Sequence, residues 1–69
     1  MDYSKLRGRI REKFGKEGAF AAAMYISKST LSSRFNGKTQ WPGDEIVKAC
    51  ELLDIPLELA HEYFFCYKR

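Results

Sequence analysis

Residues 21–38 read AAAMYISKSTLSSRFNGK, a pattern that predicts two short helices joined by a tight turn. The first helix is expected to end near Met24, and only Tyr25 and Ile26 then separate it from Ser27. A connection this short predicts that the two helices cross steeply and do not lie antiparallel. Ser27 is a suitable N-cap for the second helix because its hydroxyl can accept a hydrogen bond from a backbone N–H of the first turn.

The second helix of this stretch has an apolar side and a polar side. Steep crossing requires a small residue where the helices approach each other, and Ala21 meets this requirement. The residues expected to pack inward are Ile26, Leu31 and Phe35. The residues left on the outside are hydroxyl, amide or basic, with no carboxylate: Lys28, Ser29, Ser32, Ser33 and Asn36. Such a surface can contact a polyanion, so insertion of this helix into the major groove of DNA is the leading hypothesis.

The residues before this stretch predict a first helix and most of a second one. Asp2 or Ser4 can cap the first helix, whose apolar residues recur every four positions until Gly15 favours a helix end. The second helix is expected over residues 16–24, with Phe20 in the core. Both helices would therefore bury one side against the same core.

Two prolines divide the second half of the chain into two further helices. Pro42 suits the first position of a fourth helix, where its missing N–H costs nothing, and Pro56 precedes a shorter fifth helix. The aromatic segment 63–67 is too apolar for a free tail, so it either closes the core or contacts a second subunit. The patterns together predict a single all-α domain over residues 1–69, built from five short helices with short connections.

Charge is distributed unevenly along the chain. Residues 1–38 carry nine Lys/Arg and three Asp/Glu, a net charge of +6, whereas residues 39–69 carry three and six, a net charge of −3. A basic half joined to an acidic half suggests that one face is directed at an anionic partner. No Ser/His/Asp set, carboxylate pair or phosphate-binding glycine loop can be assembled. We therefore expect no enzyme and no cofactor. The 69 residues are too few for a separate inducer-binding domain, so we also expect no small-molecule ligand.

The two cysteines do not form a metal-binding pattern. Cys50 and Cys66 are 16 residues apart, and His61 alone beside them leaves a zinc ion without a full ligand set. We expect free thiols packed as small hydrophobic groups, with a disulfide between them as the alternative that the spacing leaves open. No apolar run approaches the roughly 20 residues of a membrane helix, and no signal peptide opens the chain. These features predict a cytoplasmic protein.

Two other large side chains have competing interpretations. Arg34 could contact a DNA phosphate or form an ion pair with an acid of the first or fourth helix. Trp41 is expected to anchor the core or a loop and not to serve as a stacking platform for bases.

Residues 17–36 resemble the helix-turn-helix unit of lambdoid phage repressors and Cro proteins. The motif runs from Ala21 through residues 26–31 to residues 36–38, and nearly the whole chain is similar to small Cro-like regulators of Gram-positive phages and prophages. The resemblance implies a lambda-repressor-like domain and a transcriptional repressor that binds double-stranded DNA sequence-specifically. It also implies a homodimer on a palindromic operator. The location that it implies is the cytoplasm of a bacterial host, in association with the nucleoid.

The resemblance further implies roles for individual residues. Family members read base edges from the start of the third helix, here about residues 28–36. The residues in base-reading positions are Lys28, Ser29, Ser32 and Ser33. The residues in phosphate-contacting positions are Asn36, Lys38, Thr39, Arg11 and Lys16.

Three features depart from the family's pattern. Tyr25 occupies the turn position usually held by glycine, which costs on the order of 1–2 kcal/mol if the backbone is left-handed there. Lys16 and Glu17 stand where the family has a Ser/Thr cap and a glutamine that contacts phosphate, and a carboxylate there repels DNA unless it points away. Gly18 lowers the helix propensity of the same turn by up to about 1 kcal/mol relative to alanine. The alternative function is therefore a protein-interaction or antitoxin-like module that keeps the fold and binds DNA weakly.

Overall fold

The computed structural model describes residues 3–65, which form five α-helices and one turn of 3₁₀ helix, with no strand among them. The α-helices are α1 (Ser4–Phe14), α2 (Glu17–Ala23), α3 (Lys28–Phe35), α4 (Gly43–Leu53) and α5 (Ala60–Phe64). The 3₁₀ turn, Leu57–Leu59, leads directly into α5. The predicted all-α fold with five short helices is therefore confirmed.

One hydrophobic core joins all five helices. Its largest fully buried side chains are Phe20, Phe64, Leu6, Ile10, Leu31, Leu53 and Cys50. Every helix contributes at least one of these side chains, and each buried Leu or Phe is worth about 1.5–3 kcal/mol of transfer free energy. The position of α3 is thus set by the same core that holds the other four helices.

Aromatic side chains extend this core from α3 to α5. The ring of Phe35 lies between Tyr3 and Trp41, with centroid distances of 5.7 and 5.9 Å, and the Trp41 ring meets Phe64 edge-on at 5.1 Å. Trp41 is buried, as the sequence predicted, and it anchors the loop between α3 and α4. Phe64 therefore closes the core, whereas Phe65, next to it, is half exposed.

The helix ends differ from the sequence predictions by about one residue. Ser4 is the first residue of α1 and not its cap; the cap position is taken by Tyr3, whose buried side chain makes no capping hydrogen bond. Pro42 caps α4 and does not open it, because its ψ of 147° is extended while its carbonyl accepts from Glu45 and Ile46. Asp2 lies outside the described residues.

The segment after Pro56 also differs from the expected single helix, since its first turn is 3₁₀ and only the second is α-helical. Leu57 and Leu59 are exposed there, so no apolar packing enforces an α-helical turn. Of the segment 63–67, residues 63–65 are described, and Cys66 and Tyr67 lie outside the described part.

Cys50 is a free, buried thiol, and burial raises its pKa above the ordinary value. Among residues 3–65, no group of three or more His, Cys, Asp or Glu side chains is placed to hold a metal ion. Within the same range, every helix is too short or too polar to cross a membrane.

Candidate nucleic-acid interface

The turn between α2 and α3 is a Schellman motif with tyrosine in the position usually held by glycine. The Ile26 N–H donates to the Ala21 carbonyl and the Tyr25 N–H to the Ala22 carbonyl, each over 3.1 Å. Tyr25 has a φ of 60°, so its backbone is left-handed. The residue is 87% exposed, and the centroid of its ring lies 4.2 Å from the ammonium nitrogen of Lys48. The turn therefore has the geometry that a glycine would give, at a higher conformational cost.

The start of α3 is fixed by its cap. The Ser27 hydroxyl accepts from the Thr30 backbone N–H at 3.0 Å and donates to Thr30 Oγ1 at 2.8 Å. Leu31 and Ala21 are almost completely buried where the helices cross, and Ile26 is partly buried beside them. The predicted packing residues are thus all buried or partly buried in the core, the partly buried Phe35 included.

The outer side of α3 carries the predicted base-reading residues. At about 100° per residue, they and Asn36 cover an arc of about 140°. Lys28, Ser29 and Ser32 are exposed, and Ser33 is half-buried. Asn36 donates to the Ser32 hydroxyl at 3.5 Å, so the amide lies over the same face. The structure thus brings the four predicted side chains onto one surface.

The predicted phosphate-contacting residues lie in two groups at opposite ends of α3. Arg11 and Lys16 line an open depression of about 630 Å³, and Lys28 and Glu17 line it too. At the other end, Gly37 takes a φ of 76° and lets the Lys38 N–H donate to the Ser33 carbonyl. The residues exposed at that end are Asn36, Lys38 and Thr39.

Glu17 lies beside Arg11 and Lys16 in the depression, but its carboxylate forms ion pairs. The Nε of Arg7 donates to its Oε2 at 2.9 Å, and the Nη2 of Arg7 donates to Oε1 at 3.4 Å. The Nη2 of Arg11 lies 3.9 Å from the same Oε2. The side chain of Glu17 is only 21% exposed as a result. The unfavourable carboxylate that the sequence shows is therefore neutralised by two cations of α1.

Arg7 was not predicted from the sequence as a site residue. Its guanidinium also lies over the ring of Phe35, 5.0 Å from the centroid, so it contacts the end of α3 and the start of α2 together. The spacing of Arg7 and Arg11, one helical turn apart on α1, was the available signal.

Of the two interpretations of Arg34, a phosphate contact or an internal ion pair, the structure has the ion pair. Its Nη1 lies 2.6 Å from Oε1 of Glu45 in α4, and its Nη2 donates to the other carboxylate oxygen at 3.2 Å. The guanidinium is buried beneath the Trp41 ring, 5.6 Å from its centroid. Arg34 therefore ties α3 to α4 and is not available to a phosphate in this arrangement.

Part of the basic charge of α1 faces the acidic half of the chain. Lys5 pairs with Glu62 at 2.9 Å and Lys13 with Asp54 at 2.6 Å. The hydrogen bond and charge of Lys13 hold the pKa of Asp54 below its ordinary value, and Lys5 does the same to the pKa of Glu62. The uneven charge of the sequence is thus partly compensated within the fold.

Among solved structures, the solution structure of the modulator of repression (MOR) of the temperate bacteriophage TP901-1 from Lactococcus lactis is similar to this chain. The two share 44% sequence identity with a TM-score of 0.83, over 93% of this chain and 86% of that chain. The expected resemblance to a small phage regulator is supported in this form, whereas Cro-like specificity stays a prediction. No curated protein matches the chain. A family described as a protein of unknown function (DUF739) matches residues 1–67, and the chain belongs to this family.

Proposed function

We propose that the protein is a phage or prophage regulator that binds double-stranded DNA with the outer side of α3. The observation that carries this proposal is the surface of α3 itself. It exposes Lys28 and serine hydroxyls, and no residue of α3 is acidic. Its other side is fixed by Leu31 and by the Arg34–Glu45 pair, so the surface is held rigidly. A rigid helix of this kind fits the major groove of B-DNA.

The proposed contacts divide into two classes. Lys28, Ser29, Ser32 and Ser33 would face base edges, where serine hydroxyls pair with several bases and specify little alone. The cations at the two ends of α3 would contact phosphates, which position the helix without reading sequence. A Cro-like repressor with modest base specificity is the finer form of this proposal.

A homodimer is part of the proposal, because one such unit contacts few base pairs. Two copies on a palindromic operator would place their α3 helices about 34–36 Å apart. The half-exposed Phe65 belongs to the candidate dimer contact, segment 63–67. Sedimentation with and without a bound duplex would report the stoichiometry.

The first prediction concerns the salt dependence of duplex binding. We expect affinity to fall steeply between 50 and 200 mM salt, by about 0.9 log unit per log unit of salt for each phosphate contact. Lys38→Gln should lower that slope by about one for every sequence, whereas Lys28→Gln should change the preferred bases. Fluorescence anisotropy with random and selected duplexes measures both effects.

The matched control for these variants is Lys13→Gln, which removes the same charge from a residue paired with Asp54. It should leave the salt slope unchanged. If the native protein binds no duplex even at 20 mM salt, the DNA-binding proposal fails.

A second candidate function is contact with another regulatory protein. The similar solved structure is that of a modulator of repression, a role that fits action on a repressor. This chain also exposes the ring of Tyr25 and the side chain of Val47, which are apolar groups that DNA phosphates do not attract. A stable complex with the repressor of a temperate phage, weakened by Tyr25→Ala and formed without DNA, would favour this candidate.

A further inference from the structure

Arg7 and Arg11 lie one turn apart on α1 with a single carboxylate, that of Glu17, between them. We propose that this arginine pair is a phosphate-binding site for the DNA backbone and that Glu17 occupies the position of the phosphate in the free protein. The proposal rests on the proposed DNA-binding function. It adds Arg7 to the contact surface and assigns Glu17 the role of a competing internal anion.

The geometry of the Arg7–Glu17 contact is that of a bound anion with two oxygens. Nε and Nη2 of one guanidinium reach the two carboxylate oxygens at 2.9 and 3.4 Å. A phosphodiester also presents two anionic oxygens, and guanidinium groups bind carboxylate and phosphate with the same two-point geometry. A phosphate group can therefore replace the carboxylate without a change in the arginine.

The arginine is also held in place from its other side. Its guanidinium stacks on Phe35, the last residue of α3, at 5.0 Å. Stacking of this kind reduces the conformational freedom that an arginine loses on binding. Because Phe35 belongs to α3, a phosphate bound to Arg7 is placed at a fixed distance from the surface that faces the bases.

The site is open to solvent and surrounded by further cations. The side chains of Arg7 and Arg11 are 45% and 66% exposed. The depression next to Glu17 is lined by Arg11, Lys16 and Lys28, so an entering anion meets three cations and one carboxylate. Solvent access lets the Glu17 side chain leave the pair when a phosphate enters.

Displacement of Glu17 means that the site binds DNA more weakly than its cations alone would allow. Glu17→Gln removes the competing charge and leaves a side chain of the same size. We expect the variant to bind duplex DNA about three- to tenfold more tightly at 100 mM salt, and its salt slope to steepen by about one phosphate contact. Arg7 is half exposed, and the amide oxygen of glutamine can still accept from its guanidinium, so the variant should remain folded, which circular dichroism can check.

The matched control is Glu12→Gln, which removes one negative charge from an exposed residue of α1 whose nearest cation is Arg9 at 3.8 Å. It should change affinity much less than Glu17→Gln. The double variant Arg7→Gln with Glu17→Gln should lose the gain in affinity, since the gain depends on the freed guanidinium.

The outcomes separate this inference from the function on which it rests. Equal effects of Glu17→Gln and Glu12→Gln, or a gain that survives Arg7→Gln, would show a general charge effect and overturn the inference. A native protein that binds duplexes while Glu17→Gln has the native affinity would also overturn it, leaving DNA binding intact. Failure of both proteins to bind any duplex at low salt would overturn the proposed function as well.

Discussion

Tyr25 is the residue at which local geometry and residue type disagree. Its left-handed backbone, with a φ of 60°, is held by the hydrogen bonds that end α2. A residue with a Cβ is strained there, whereas glycine is not. We expect Tyr25→Gly to be more stable than Tyr25→Ala by about 1 kcal/mol, measured by urea unfolding. Both variants lose the ring contact with Lys48, so the comparison isolates the backbone effect.

The control for this prediction is the same comparison at Ala22, an exposed residue inside α2. There the order should reverse, with Ala22→Gly less stable than the native protein by about 1 kcal/mol. A Tyr25→Gly variant no more stable than Tyr25→Ala would contradict the assigned strain.

At the same scale, the sequence predicted some features of the site and could not predict others. The cap at Ser27 and the outward polar side chains of α3 follow from spacing within about ten residues. The left-handed backbone at Tyr25 was left open by the sequence, because a tyrosine does not favour it. The pairing of Glu17 with Arg7 does not, because it depends on the angle at which α1 packs against α2. Local patterns contain no information on that angle.

The Arg34–Glu45 pair is the polar link between α3 and α4. Removal of one partner leaves the other charge in a mostly buried site, which costs about 3 kcal/mol. Glu45→Ala should therefore lower the free energy of unfolding by about that amount and loosen α3, as measured by urea unfolding and by amide hydrogen exchange in α3.

Glu51→Ala serves as the control, since Glu51 is an exposed acid on the same helix. It should change the free energy of unfolding by no more than about 0.5 kcal/mol. Equal stability of the two variants would show that the pair contributes nothing to the attachment of α3.

The number and order of the helices could be predicted because apolar spacing and Gly or Pro signals act locally. Their ends were less predictable. Tyr3 takes the cap position of α1 because its ring is buried in the core, a tertiary effect that overrides the better capping residue Ser4. The 3₁₀ turn at Leu57–Leu59 was also not predicted, because its leucines are apolar in the sequence but exposed in the fold.

Across the whole molecule, two ion pairs connect α1 to the C-terminal half, Lys5–Glu62 and Lys13–Asp54. Both carboxyl groups have a lowered pKa in the folded state, so the folded state holds fewer protons than the unfolded state near pH 4. Their contribution to stability is present above the ordinary pKa of about 4 and is lost as pH falls through the lower folded values. Thermal unfolding between pH 6 and pH 2 should show this loss.

Lys13→Met should bring the pKa of Asp54 back toward its ordinary value and reduce the loss of stability on acidification. Lys38→Met, which removes a cation from the loop after α3, should leave the pKa of Asp54 unchanged. NMR titration of the Asp54 carboxyl group distinguishes the two variants, and an unchanged pKa in Lys13→Met would contradict the assigned cause.

The burial of Trp41 against Phe64 and Phe35 also provides an intrinsic fluorescence signal that depends on the packing of these three rings. The sequence contains one tryptophan, so all of its indole emission comes from the joint between α3, the following loop and α5. Release of α5 or of the end of α3 would expose that ring to water and shift its emission to longer wavelength. The attachment of α3 can thus be followed in the unlabelled native chain.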